Sequence, residues 1–345
     1  MLNDRTTLVV ETWFIWRETM LQSIHRFQDV HAHAAAISPW NLSYAQISAG
    51  RLESSLIQVS TRRCHAFRER INKRVVQHGE APKGQICFAF PVSAPGGAHV
   101  QGREVDEGCM LFLQGGEEFM CHMPTDTDLF AITFDQDFFY KYLPRMADPD
   151  RIAALLKQPV MKVASNGLHM CRERLLKIFS HAMLPVAGDQ LRQDEQSERS
   201  ARREEALELA LLGELLGLLS APDCDPHHHL STVRSYIVDK LHRQIIEDAT
   251  NVPSIFEVCQ RLRVSRRTIQ NSFRTVAETT PLNYLRCVRL NGVRRELLSS
   301  EDASIGDIAS RWGFFHLSHF AEDYRALFGE LPSQTARRPA QIVLQ

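Results

Sequence analysis

The chain has almost no net charge: 40 Lys and Arg stand against 41 Asp and Glu over 345 residues. It also lacks any apolar run of the roughly 18 residues that a membrane helix needs, which excludes a helical membrane anchor. Its eight cysteines, at 64, 87, 109, 121, 171, 224, 259 and 287, contain no C-x-x-C pair and no short-spaced cluster. Neither a zinc site nor a disulfide framework is indicated, and the residues are expected to be reduced thiols in a cytoplasmic protein. Thr7 to Trp16 is apolar but holds Glu11 and has no small-residue cleavage site, so no signal peptide is expected there. No phosphate loop, dinucleotide fingerprint or G-x-S-x-G elbow is present, so no catalytic residue and no cofactor is assigned.

What is present is a charge division and a repeat. From Ser231 onward 16 Lys and Arg face 12 Asp and Glu, leaving 24 against 29 upstream. The basic surface is therefore confined to the C-terminal part, as expected for a nucleic-acid partner. In that part Ser254-Ile255, Glu257-Val258, Arg261 and Leu262 recur 50 residues later as Ser304-Ile305, Asp307-Ile308, Arg311 and Trp312. Ile269, Phe273-Arg274 and Pro281 recur 51 later as Phe320, Tyr324-Arg325 and Pro332. Each copy reads as a capped helix, a short turn and a second amphipathic helix, the pattern of a helix-turn-helix.

In the first copy Ser254 and Glu257 are spaced as a capping box, Arg263-Val264 forms the turn and Ser265 caps the second helix. Arg266 and Arg267 then occupy a first turn whose positive dipole end disfavours them, which points to an anionic partner. Arg267, Gln270 and Asn271 share one helical face and carry the groups that pair with guanine and adenine edges in the major groove. Arg274 follows on the same helix. The second copy repeats the capping-box spacing at Ser304 and Asp307 and turns at Gly313. It directs Phe320, Tyr324 and Phe328 inward and Leu317, Ser318, His319 and Glu322 toward the groove. A helix from Leu282 to Ser299, started by Thr280-Pro281, separates the two. Arg286, Arg289, Arg294 and Arg295 on it are available to phosphates, Arg289 equally to a structural role, and Gly292 allows a neighbouring helix to approach closely.

Upstream, short apolar runs broken by turn residues between Asn41 and Phe134 predict strands of a sandwich or barrel: 44–47, 54–59, 86–90, 110–113 and 129–134. Helices are expected over 137–157 and 168–184, and residues 185–200 as a loop or a fraying helix start. Glu204 to Ser220 repeats Leu207, Leu211, Leu215 and Leu218 beside Leu212, Leu216 and Leu219, a stripe broad enough to pack on the upstream domain and to meet a second copy. The stretch 221–229, with two prolines, reads as a linker. The fold class is α+β: a β-rich, cupin-like sensor domain over 1–184, a dimerisation helix and linker over 185–230, and an all-α domain with two helix-turn-helix units over 231–338.

On VSRRTIQNSFR at 264–274, TTPLNYLRCVRLNGVRREL at 279–297 and IGDIASRWGFFHLSHFAEDYRALFGELPS at 305–333, the tail resembles the DNA-binding domain of the arabinose-operon regulator (AraC/XylS) family. That resemblance implies seven helices, two of them reading DNA, and Arg263 stands where the wider family often has glycine. SRRTIQNSF, RLNGVRREL and RWGFFHLSHFAEDY, with AFRERINKRVVQHG at 66–79 and GGEEFMCHMPTDTDLFAITF at 115–134, look like runs in regulators of ethanolamine-utilisation operons. The resemblance implies promoter DNA, RNA polymerase and a small metabolite effector, an ethanolamine-like amine first, as partners of a homodimer joined through 201–220. Two other readings stand beside it. One is a constitutive DNA binder whose upstream half only dimerises. The other is a metal-dependent cupin enzyme using His31 and His33; the His227 to His229 run reads as part of the linker rather than as a metal site.

Overall fold

The computed structural model describes residues 20–163, 165–184, 193–221, 224–225, 233–247, 254–300 and 304–337. The stretch from Thr7 to Trp16 lies outside them. In chain order the strands are β1 (Leu21–Phe27), β2 (Asn41–Gln46), β3 (Ser54–Ser60), β4 (Cys64–Ile71), β5 (Val75–Glu80), β6 (Gln85–Ser93), β7 (Ala98–Val100), β8 (Arg103–Val105), β9 (Cys109–Gln114), β10 (Glu118–Met123), β11 (Thr127–Asp135), β12 (Val160–Val163) and β13 (Cys224–Asp225). They form an eight-stranded sheet, β1-β3-β4-β11-β6-β9-β12-β13, and a five-stranded sheet, β2-β5-β10-β7-β8.

Strand alternation assigns the faces. Along β10, Phe119, Cys121 and Met123 enter the core between the sheets, together with Tyr44 of β2, Phe67 of β4 and Leu111 of β9. Met120 points the other way, into the core of the tail. β11 is apolar on both faces: Leu129 and Ala131 face the smaller sheet, while Phe130, Ile132 and Phe134 face the helices behind.

Those helices are α2 (Gln136–Met146), α3 (Pro149–Leu155), α4 (Ser165–Ala182) and α5 (Gln193–Ser220). The single helix expected over 137–157 is two, because Asp148 leaves the helix and caps α3 by accepting from Asp150 and Arg151 amides, with Pro149 at its first position. In α5 the seven leucines from Leu207 to Leu219 named above are all buried in this same core. The stripe is consumed within the chain, and the outward residues include Ala206, Ala210 and Gly217. The expected linker begins as β13, whose Cys224 and Asp225 pair with Val163 and Lys162 of β12; His227 to His229 lie outside the described residues.

The tail holds α6 (Val233–Glu247), α7 (Ile255–Leu262), α8 (Arg266–Ala277), α9 (Pro281–Ser299), α10 (Ile305–Arg311), α11 (Leu317–Phe328) and α12 (Pro332–Ala336). Its core gathers Ile237 and Leu241 of α6, Phe273 of α8, Tyr284 of α9 and Tyr324 of α11, and it also takes Ala45, Ile47, Val76 and Met120 from the outer face of the smaller sheet. That sheet is thus buried on both faces, once against its partner sheet and once against the tail.

Candidate DNA interface

The first unit is built as its sequence dictates. Ser254 accepts from the Glu257 amide at 3.2 Å while the Glu257 carboxylate accepts from the Ser254 amide at 2.7 Å, a complete capping box. Arg263 ends α7 in the left-handed region at φ 53°, the position where glycine is the unstrained residue. Ser265 caps α8 through the Thr268 amide at 3.1 Å. Ile269 and Phe273 are fully buried, with the Phe273 ring 5.0 Å from that of Tyr284. Packing on that side leaves Arg266, Arg267, Gln270, Asn271 and Arg274 exposed on the other.

The second unit is similar in path and weaker in detail. Ser304 begins α10 without a side-chain cap bond, so the second capping box expected from the spacing is not formed. Asp307 is one methylene shorter than Glu257, and such boxes favour Glu or Gln at that position. Gly313 turns the chain at φ 77°. Phe320, Tyr324 and Phe328 are buried, and Leu317, Ser318, His319 and Glu322 are exposed, with His319 Nδ1 3.8 Å from the Glu322 carboxylate. Phe315, 76% exposed just before α11, was not singled out from the sequence; its signal was the FFHL run between the turn glycine and the helix.

On α9 the arginines divide. Arg295 is exposed and lies over the Trp312 ring at 5.9 Å. Arg286 is tied to Asp323 of α11 at 3.1 Å. Arg289 is half-buried beside Gly313, its Nε without a hydrogen-bond partner, and burial lowers its pKa. Arg294 does not reach a phosphate: its side chain is 3% exposed, Nε donates to Asp29 at 2.5 Å, and Nη1 donates to Glu330 at 2.7 Å. A β-carbon on Gly292 would sit 2.2 Å from the Trp312 ring, which gives the close approach expected of that glycine its partner.

The upstream domain grips the tail through α6, α9 and the C-terminal ends of α8 and α11, away from the exposed residues at the starts of those two helices. Asn291 exchanges two hydrogen bonds with the Gln46 backbone, at 2.9 and 2.8 Å. The Gln46 side-chain Nε2 donates to the Leu327 carbonyl at 2.7 Å, Arg74 pairs with Glu278, and His122 Nε2 meets Asp239 at 2.9 Å. Burial would raise the Asp29 carboxyl, but His31, Arg294 and the Ala32 amide overcome it and hold its pKa below the ordinary value. The two histidines that a cupin enzyme would use as metal ligands are engaged by protein groups. His31 Nε2 lies 3.1 Å from the Asn291 carbonyl, and buried His33 sits between Ser54 and Glu69 at 2.8 and 3.1 Å.

This arrangement of two helix pairs about one long helix is matched over residues 258–338 by the family model described as "Helix-turn-helix domain". Residues 258–338 form a helix-turn-helix domain. Over 108 residues the chain is 39% identical to the XylDLEGF operon transcriptional activator of Pseudomonas putida, covering 31% of each chain. Over 86 residues it is 37% identical to the probable thc operon regulatory protein of Rhodococcus erythropolis, covering 24% of this chain and 26% of that one. The chain thus spans under a third of the length of these relatives. The AraC-like transcriptional activator CuxR is a solved structure 14% identical to the chain, covering 84% of it and 100% of CuxR with a TM-score of 0.39. No ethanolamine-operon regulator is among these relatives, whose names refer to xyl and thc operons.

Proposed function

We propose that the protein is a transcription regulator, most simply an activator, which binds double-stranded promoter DNA through both helix-turn-helix units and answers to a small metabolite. The reading rests chiefly on α8, where Arg266, Arg267, Gln270, Asn271 and Arg274 stand exposed along a helix whose other face is locked in the core. Side chains held that way reach base edges without first ordering their scaffold. Leu317, Ser318, His319 and Glu322 of α11 add the second half-site, and Arg289 contacts the backbone between them. RNA polymerase is the partner that turns occupancy into transcription, and the cytoplasm is the compartment that holds both.

An ethanolamine-like amine remains the first effector to test, on the sequence resemblance alone. If two copies pair through 201–220, the leucines cannot be the surface that meets, and the outward Ala206, Ala210 and Gly217 must serve. The extent of the contact between sandwich and tail favours a sensing role over mere dimerisation, because a ligand held upstream can shift an equilibrium between tail arrangements only through such contacts.

DNA selected from a random pool by the full chain, footprinted with and without ethanolamine, tests the reading. One chain should protect two adjacent major-groove segments about 10 base pairs apart, and Arg267→Ala, Gln270→Ala or Asn271→Ala should each cost roughly 1–3 kcal/mol at one base position. Equal losses on selected and random DNA would make these residues backbone contacts only. Failure to select any sequence would refute the regulator reading.

A further inference from the structure

Between the sandwich and α6 lies a cleft of about 770 Å³, within the range of small-molecule sites. We propose that it binds an amino-acid-like zwitterion that bridges the two domains, an inference that rests on the reading of the protein as ligand-responsive and names where and what the ligand is.

The cleft's charges that lack an ion-pair partner among the described residues are segregated by element. The cations are Lys240 and Arg243 on α6 and Lys157 in the turn after α3, whereas Glu117 and Glu118 stand together at the start of β10. Asp239, the third carboxylate, shares α6 with Lys240 and Arg243 and is held by His122 of β10 at 2.9 Å. Glu117 caps its own turn through the Gln114 amide at 3.2 Å, and Lys240 lies 5.6 Å from the Tyr236 ring centroid. None of Lys157, Lys240, Arg243, Glu117 and Glu118 has an ion-pair partner within 4.0 Å among the described residues. Three cations against three carboxylates give a site without net charge, which favours a neutral ligand over a net anion or cation. With opposite charges on different walls, that neutral ligand gains most by carrying both signs.

Between the charged walls part of the lining is apolar. Phe112 and Met120, both buried, form part of it, and Tyr236, more than half exposed, presents its ring. A carboxylate directed to Lys240 and Arg243, an ammonium directed to Glu118, and an apolar side chain over Met120 use each of these features. Because α6 belongs to the tail and β10 to the sandwich, such a ligand is bound fully only while the two are docked. Occupancy therefore stabilises that arrangement against any other.

The test is thermal shift and calorimetry on the full chain with L-phenylalanine, L-leucine and L-methionine, and with 3-phenylpropionate and phenethylamine, which each carry one of the two charges. At least one amino acid should bind saturably, with the single-charge analogues at least tenfold weaker for the aromatic body. Arg243→Gln and Glu118→Gln should each weaken the bound amino acid at least tenfold while leaving gel shifts on selected DNA without ligand unchanged. No saturable binding by any of the three, or binding that both variants leave intact, overturns the proposal. A chain that shifts DNA but takes no amino acid refutes only this site. One that takes an amino acid through Arg243 and Glu118 yet shifts no DNA refutes the regulator reading and keeps the site.

Discussion

Asn291 treats Gln46 as a neighbouring strand would. Its side-chain oxygen accepts from the Gln46 amide and its side-chain nitrogen donates to the Gln46 carbonyl, so a helix residue completes the hydrogen bonding at the end of β2. Three residues on, Arg294 enters the same interface and finds Asp29, whose other oxygen accepts from the His31 and Ala32 amides and caps α1 (Val30–Ala35).

Breaking that latch from either side should be costly. Asp29→Asn keeps a capping oxygen but leaves buried Arg294 with Glu330 as its remaining carboxylate; Arg294→Met leaves Asp29 buried without its cation. Arg294→Met should destabilise by roughly 3–5 kcal/mol, because Asp29 is then a buried charge without its cation, and Asp29→Asn by less, because Glu330 still pairs with Arg294. The double variant should lose less than the sum of the two. Urea denaturation of the four proteins measures this, and additive losses would show that the two residues do not act on each other.

The two units should respond unequally to loss of their cap serines. Ser254→Ala removes a formed box and should cost about 1 kcal/mol, whereas Ser304→Ala removes no cap bond and should be close to neutral. Equal shifts in the unfolding midpoint would contradict the difference between the two helix starts.

Gly292→Ala should destabilise by roughly 1–3 kcal/mol or more, because its methyl would occupy space held by Trp312. Adding Trp312→Leu should recover part of the loss through the room it opens. A Gly292→Ala protein with unchanged stability would mean that α9 and α10 separate at little expense.

Acid should weaken the fold before most carboxylates titrate. Burial lowers the pKa of His65 from 6.5 to about 4, and burial first, then His122, His78 and Arg243, lowers that of His242 well below 6.5. Between pH 6.5 and about 4 the unfolded chain binds protons at these sites that the folded chain does not, so stability falls as pH falls through that window. His65 alone contributes a loss of about 3 kcal/mol by pH 4. Melting temperatures of the wild type and His65→Gln at pH 7.5 and pH 5 check this, with a shallower pH dependence expected for the variant.

Local pattern was enough for the units that read locally. The capped helices of the first unit, the turn at Arg263 and the apolar strands β6, β9 and β11 follow from neighbours in the chain. β4 did not stand out, because Arg68, Glu69 and Arg70 interrupt its apolar run. Glu69 is buried by bonds from Tyr44 and Gln77, while Arg68 and Arg70 both reach Asp128. Arg294 looked like a phosphate contact for the same reason: its acceptor lies 265 residues away, and no periodicity announces such a pair. The leucines of α5 were visible as a stripe, but only the packing of α4 and the larger sheet decides that one chain uses all of them.

The exchange between Asn291 and Gln46, with the Arg294 latch beside it, bears on how the tail can be recombined. Grafting residues 233–337 onto a foreign domain would carry along an arginine and an amide already committed to partners in the sandwich left behind. The graft would succeed only if the new domain offered a carboxylate and an open strand end at matching places, or if both positions were replaced by residues content with water. In this protein, modularity of sequence stops short of modularity of parts.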